Sequence, residues 1–221
     1  MRQTLFIICY LFVSVAPAAA QMQMRDVFAA MPDSVLPMVT KNNRLDCIDF
    51  IENNMEARVR NKVDTYVTLE ALTSDYARFR TSEASVMELK LLPTSDSTAV
   101  LCIVTTAESG KDSTALRVED SNIRFLTADW TPLSVPVHVE IPSLDAFFYA
   151  SDSSHDATLE QARSSLADFH PLRMQLAPDE NTLTLTLQTS RQTKAEKAAI
   201  GDLVHPVVLR WNGSTFVMEL N

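Results

Sequence analysis

Residues 24–55 read MRDVFAAMPDSVLPMVTKNNRLDCIDFIENNM, and they contain the best-formed helical face in the first half of the chain. Arg25–Met31 predicts about two helical turns, which end at Pro32 because a proline inside a helix removes a hydrogen bond and clashes with the preceding turn. A second helix is predicted to begin at Asn42 or Asn43, since either side chain can cap exposed backbone amides. Its apolar face recurs at three- and four-residue spacing: Leu45, Ile48, Ile51 and Met55, widened by Cys47 and Phe50.

The chain after this stretch predicts antiparallel strands. In Ser85–Leu92, apolar Met87, Leu89 and Leu91 alternate with a face that includes Glu88 and Lys90, a pattern typical of a half-buried strand. A second type of strand is apolar without alternation, which predicts cover on both faces: Ala99–Val104. Further strands are predicted at Tyr66–Leu69, Tyr76–Thr81, Leu116–Val118 and Ile123–Leu126.

The second half of the chain repeats this order after a proline-punctuated connector at residues 132–142. A helix is predicted at Thr158–Phe169, followed by strands at Leu172–Leu176 and Asn181–Thr189. The Asn212-Gly213 pair lies between two alternating runs and is the strongest hairpin signal in the chain, since both turn residues are expected to need positive φ. The flanking strands are Val207–Trp211 and Ser214–Leu220.

These patterns predict an α+β fold, an antiparallel sheet with amphipathic helices packed on one face. Residues 21–132 and 133–221 each contain a helix followed by about four strands. This shared order raises the hypothesis that the halves are helix-plus-four-strand meander repeats. Whether they form two domains or one remains open at this point.

Residues 1–20 resemble a secretory signal peptide, with a basic start, an apolar run at Leu5–Val15 and an alanine-rich end at Ala16–Ala20. The apolar run, about 11 residues, is short of the roughly 20 that span a bilayer. We expect cleavage after Ala20 and a periplasmic or secreted product without a membrane span. An uncleaved anchor is the alternative.

The composition disfavours some function classes. The net charge of −9 argues against nucleic-acid binding, which needs a basic surface. No zinc motif, glycine-rich phosphate loop or nucleophile elbow occurs in the sequence, so no cofactor is expected. Cys47 and Cys102 lie in apolar surroundings, and either buried free thiols or a disulfide fits them.

Three stretches carry a family resemblance: MPDSVLPMVTKNNRLDCIDFIENNM at 31–55, ALTSDYARFRTSEASVMELKLLP at 71–93 and IRFLTADWTPL at 123–133. They resemble a Bacteroidales family of exported proteins that is classed as a domain of unknown function. The likeness runs from about Met24 to Pro132. The resemblance implies a Bacteroidales origin and export, and it assigns no catalytic residue.

Three groups of residues are candidate binding sites. Arg78, Arg80 and Lys90 are predicted to form a basic strip on the outer sheet face, which could meet an acidic partner or could simply be solvated. Asp129 and Trp130 form the second group, where the tryptophan offers an apolar face in a turn or else caps the core. The third group is an oxygen-rich loop that either binds calcium or is solvated: Asp152 and Asp156.

We therefore expect an exported, soluble, non-enzymatic module that binds an envelope protein or glycan, through a sheet face, a loop or a sheet edge. One alternative is a glycan hydrolase with two carboxylates about 5–9.5 Å apart in a cleft. Another is a binder of calcium or a small ligand.

Overall fold

The computed structural model describes residues 22–96, 98–109, 118–149, 157–167, 170–188, 200 and 203–218. It consists of two antiparallel sheets and few helices, which confirms the sheet-rich α+β class. The helices are α1 (Met24–Ala29), α2 (Lys41–Glu52) and α3 (Ala157–Ala167), with a 3-10 turn at Leu144–Phe147. The six-stranded sheet has the order β1 (Arg58–Arg60), β2 (Tyr66–Leu72), β3 (Tyr76–Ser82), β4 (Ser85–Pro93), β5 (Ala99–Ser109) and β6 (Val118–Thr127). The four-stranded sheet has the order β10 (Phe216–Met218), β9 (Val207–Trp211), β8 (Thr182–Leu187) and β7 (Leu172–Leu176).

Helix α2 begins earlier than predicted, because Thr40 is its N-cap and not Asn42 or Asn43. The Thr40 hydroxyl accepts from the Asn43 backbone N–H at 3.1 Å, and the Asn43 side-chain oxygen accepts from the Thr40 N–H at 3.0 Å. This reciprocal pair is a capping box, which satisfies two backbone donors at once.

The buried face of α2 also differs from the prediction. Leu45 and Met55 are exposed, whereas Arg44 is buried beside Cys47 and Ile48. The Arg44 guanidinium donates to the carbonyl of Val39 at 2.9 Å and to the carbonyl of Met31. It also pairs with Asp33. These contacts hold the chain segment between α1 and α2 in place.

Both faces of the six-stranded sheet are covered. On one face, residues such as Phe79, Leu89 and Leu101 share a hydrophobic cluster with α1 and α2. On the other face, residues such as Cys102 and Val104 share a second cluster with α3 and the four-stranded sheet. The predicted cover of Ala99–Val104 on both faces is confirmed.

The prediction that β4 is half-buried is wrong, because the four-stranded sheet covers the face that was expected to meet water. Glu88 and Lys90 are both buried there, at 2% and 1% exposure. A period-two pattern shows which residues share a face, but a polar face can point to solvent or to another layer.

The predicted C-terminal hairpin is confirmed, with β9 and β10 paired from Trp211 and Phe216. Its turn is longer than expected, since Asn212 N–H donates to Thr215 O, and of Asn212 and Gly213 only the glycine has positive φ (+99°). In the first half, six strands are present where the repeat hypothesis placed about four.

The two cysteines of the described chain are free thiols. Cys47 lies in the cluster with the helices, and Cys102 lies in the cluster on the opposite face of the six-stranded sheet. The disulfide alternative is therefore wrong. None of the helices among the described residues has the length and apolar character needed to cross a membrane.

Candidate functional site

The predicted basic strip does come together, but acidic side chains neutralise it. Arg78 and Arg80 on β3 each donate to Glu70 on β2 at 2.7 Å. Arg80 also lies 3.6 Å from Glu108 on β5. Burial acts to raise the pKa of Glu70, but the hydrogen bonds from Arg80 and Arg78 outweigh it and hold that pKa below its usual range. These arginines are therefore internally paired and do not form a free basic surface.

Lys90 is also internal and does not belong to an outer face. Its ammonium donates to the carbonyl of Pro178 at 2.7 Å and pairs with Asp75 at 2.9 Å. The first contact joins β4 to the loop between β7 and β8. Lys90 thus connects the two sheets, and the prediction of a solvent-facing lysine is wrong.

Glu88 is the centre of this buried polar cluster, and no sequence pattern singled it out. Its carboxylate accepts from the Tyr76 hydroxyl at 2.6 Å and from the Arg78 guanidinium at 3.0 Å. The backbone N–H of Leu176 on β7 also donates to it. Burial raises the pKa of Glu88, against the opposing effect of these bonds, and burial next to this carboxylate raises the pKa of Tyr76 as well.

The outer edge of β7 is satisfied by side chains of the six-stranded sheet. Leu176 N–H donates to Glu88, Met174 N–H donates to the Ser121 hydroxyl at 2.9 Å, and Leu172 N–H lies 3.4 Å from an Asp120 carboxylate oxygen. These alternate amides would otherwise be available to another strand. We infer that β7 is closed to strand addition.

Trp130 caps the core, as one of the two sequence interpretations had it, and it does not present an open apolar face. It is buried at a positive φ of 63°, and its indole N–H donates to the carbonyl of Val27 at 2.8 Å. It therefore holds α1 against the turn that follows β6. Asp129, its neighbour, is exposed.

The third candidate group, Asp152 and Asp156, lies outside the described residues. Within the described ranges, no three His, Cys, Asp or Glu side chains converge as a possible metal site.

A groove of about 420 Å³ lies beside β6, a strand at the edge of the six-stranded sheet. We call it the β6 groove. Its lining includes Ser121–Leu126 on one side and Val137–Val139 with Ile141 on the other. Sequence analysis had marked the second side only as a connector. The volume is within the range of about 300–1,000 Å³ that is usual for ligand sites.

The backbone of β6 offers hydrogen-bonding groups to this groove. Thr127 N–H donates away from β5, to Thr131 O at 2.9 Å in the turn that follows. Alternate residues of a strand point their backbone groups to the same edge, and the β5–β6 register runs without a bulge. Ser121, Ile123 and Phe125 therefore point their N–H and C=O groups outward. Ser121 and Ile123 receive no backbone hydrogen bond from another described segment, whereas Phe125 is next to Leu126, which forms an isolated antiparallel bridge with Pro132.

A second groove, of about 380 Å³, is lined by Arg25 together with Asp26 and Glu52. The Arg25 guanidinium lies between the two carboxylates, 3.4 Å from Asp26 and 2.7 Å from Glu52. All three side chains are largely exposed. The arginine thus pairs with both carboxylates of this groove, and the β6 groove contains no carboxylate among its lining residues.

The sequence profile of a family described as a protein of unknown function (DUF3256) matches residues 16–216. The chain belongs to the DUF3256 family. The match extends well beyond Met24–Pro132, so the family likeness includes the four-stranded sheet. A solved domain of an uncharacterized protein from Porphyromonas gingivalis W83, a member of the Bacteroidales, is similar to this DUF3256 chain at 26% identity and a TM-score of 0.70. The similarity covers 89% of this chain and 98% of that one. No curated protein matches the chain.

Proposed function

We propose that this DUF3256 protein is a non-enzymatic binding module that receives an extended segment of an envelope protein as an added strand on β6. The observation that carries the proposal is the outward backbone of Ser121–Phe125 beside an open groove. Strand addition obtains affinity from main-chain hydrogen bonds and specificity from alternate side chains.

The other edge strands are less suited than β6 to receive an added strand. The amides of β7 are already bonded to Asp120, Ser121 and Glu88. The remaining edge strands, β1 and β10, have three residues each, whereas β6 has ten. A longer edge offers more main-chain bonds to a partner.

The cellular setting of the proposal is the periplasm or the exterior of the cell, and it rests on the signal-like sequence of residues 1–20. Mass spectrometry of the protein purified from its native host tests this setting. A first residue of Gln21 is expected, and an intact Met1 would contradict export by cleavage.

A proline at position 123 tests the binding function most sharply. Ile123→Pro removes the outward N–H and places a ring in the β6 groove, without removing a bond to β5. Ile123→Ala is the matched control, because it loses the same packing but keeps the amide. The two variants and the wild type, as residues 21–221, are used to capture proteins from native envelope extract.

A partner retained by Ile123→Ala and lost with Ile123→Pro is expected. Partners that both variants capture equally would contradict strand addition at β6. Thermal unfolding of both variants ensures that each is folded during capture.

The proposed repeat relation between the halves remains a hypothesis beside this function. Superposing α2 and β3–β6 on α3 and β7–β10 tests it. Halves that do not superpose would end the repeat hypothesis and leave the binding proposal intact.

A further inference from the structure

The lining of the β6 groove includes an arginine and no carboxylate, although the protein as a whole is acidic. The chain carries 28 aspartates and glutamates and a net charge of −9, yet the groove lining contains no carboxylate. It contains Arg124 and His138 instead. Arg124 is exposed and has no ion-pair partner among the described residues. This contrasts with Arg78 and Arg80, which are fully occupied by glutamates.

The two faces of β6 differ in chemistry. Ile123 and Phe125 point toward the second hydrophobic cluster, and Val137 and Val139 on the connector pack against the same cluster. Arg124 points to the opposite face, because successive side chains alternate across a strand. An added strand would place its side chains alternately beside these apolar residues and beside the arginine.

We propose that the occupant of the β6 groove is an acidic and apolar extended segment of a partner protein. Its apolar side chains, at alternate positions, face Ile123 and Phe125, and an acidic side chain between them lies opposite Arg124. Opposite charges on facing cross-strand positions stabilise strand pairs, and like charges destabilise them. This inference rests on the proposed function, because it names the class of segment that the same edge selects.

Three peptides test the charge preference. They are acetylated and amidated octapeptides with the sequences TVEVEVTV, TVQVQVTV and TVKVKVTV, which differ only on the face that would meet Arg124. Their dissociation constants are measured by isothermal titration against residues 21–221. We expect affinity to fall from the Glu to the Gln to the Lys peptide, by up to about fivefold at each step, as for exposed ion pairs.

Arg124→Glu should reverse the order, so that the Lys peptide binds most tightly. Lys41→Glu is the matched control, because it changes the net charge equally at an exposed site on α2, and it should keep the wild-type order. Equal affinities of the three peptides, or an unchanged order with Arg124→Glu, would overturn the inference but not the proposed function.

Different outcomes of the same experiments would overturn the proposed function. Absence of binding for all three peptides, or binding that Ile123→Pro leaves unchanged, would overturn strand addition itself. A dimer seen by sedimentation that Ile123→Pro abolishes would show that a second copy occupies the edge, and it would overturn the partner-protein assignment.

Discussion

Replacing Glu88 by alanine should strongly destabilise the protein, because this carboxylate joins the two sheets. It accepts from Tyr76 on β3, from Arg78 on the same strand and from the backbone of Leu176 on β7. Glu88→Ala removes the acceptor for all three donors in a region where water is excluded.

The size of the expected loss in unfolding free energy depends on which acceptors remain for each donor. Tyr76 and Leu176 are both buried, at 2% and 1% exposure, and each buried donor without an acceptor costs about 1–3 kcal/mol. Arg78 retains Glu70 at 2.7 Å, so its charge remains compensated and adds little. The expected loss is therefore about 2–6 kcal/mol, a large share of the roughly 5–15 kcal/mol that stabilises a typical protein.

Urea unfolding of residues 21–221, followed by circular dichroism, measures this loss through linear extrapolation. Glu88→Gln is the control, since it keeps the volume and one acceptor oxygen and should lose less than the alanine variant. A Glu88→Ala protein within about 1 kcal/mol of the wild type would refute the role of this cluster in joining the sheets.

Three further outcomes are expected. Trp130→Phe should lose about 1–3 kcal/mol in the same assay because the buried carbonyl of Val27 loses its donor, and wild-type stability would argue against that bond. Cys47 and Cys102 should resist Ellman's reagent until urea is added, because burial keeps both thiols protonated. It raises the pKa of Cys47 to about 12 and that of Cys102 above its usual value. Rapid labelling of the folded protein would contradict this, since it would show accessible thiols. Burial raises the pKa of folded Glu88 above its unfolded value. The wild type should therefore gain stability relative to Glu88→Gln as the pH is lowered through the folded pKa toward the ordinary glutamate value of about 4.3. A difference that shrinks on acidification would contradict this direction.

The sequence located most strands because their periodicity is local. Ala99–Val104 and the hairpin at Gly213 follow from residue type alone, and the structure confirms both. The predicted N-cap of α2 was two or three residues too late. Asn43 is the third residue of the helix, and its side chain bonds back to the backbone of Thr40, which is the actual N-cap. Such an exchange between two capping residues depends on side-chain direction, which the spacing of the residues does not show.

The candidate sites were harder to predict because their partners are distant in sequence. Arg80 meets Glu108 across two strands, and Lys90 meets Pro178 from the other sheet. A basic residue on a predicted strand looks the same whether it faces water or a glutamate. The β6 groove was equally hidden, since its far side is a connector without regular structure. The sequence allowed the hypothesis that a sheet edge binds a partner strand, but it did not show which strand forms that edge.

Amide hydrogen exchange along β6, measured residue by residue by NMR, tests the central claim most directly. In the free protein the outward amides of Ser121, Ile123 and Phe125 should exchange much faster than those of Asn122 and Arg124, which pair with β5. Binding of a partner segment should slow the three outward amides. Equal protection of all five in the free protein, or no change along β6 when a partner is bound, would contradict an open edge that receives a strand.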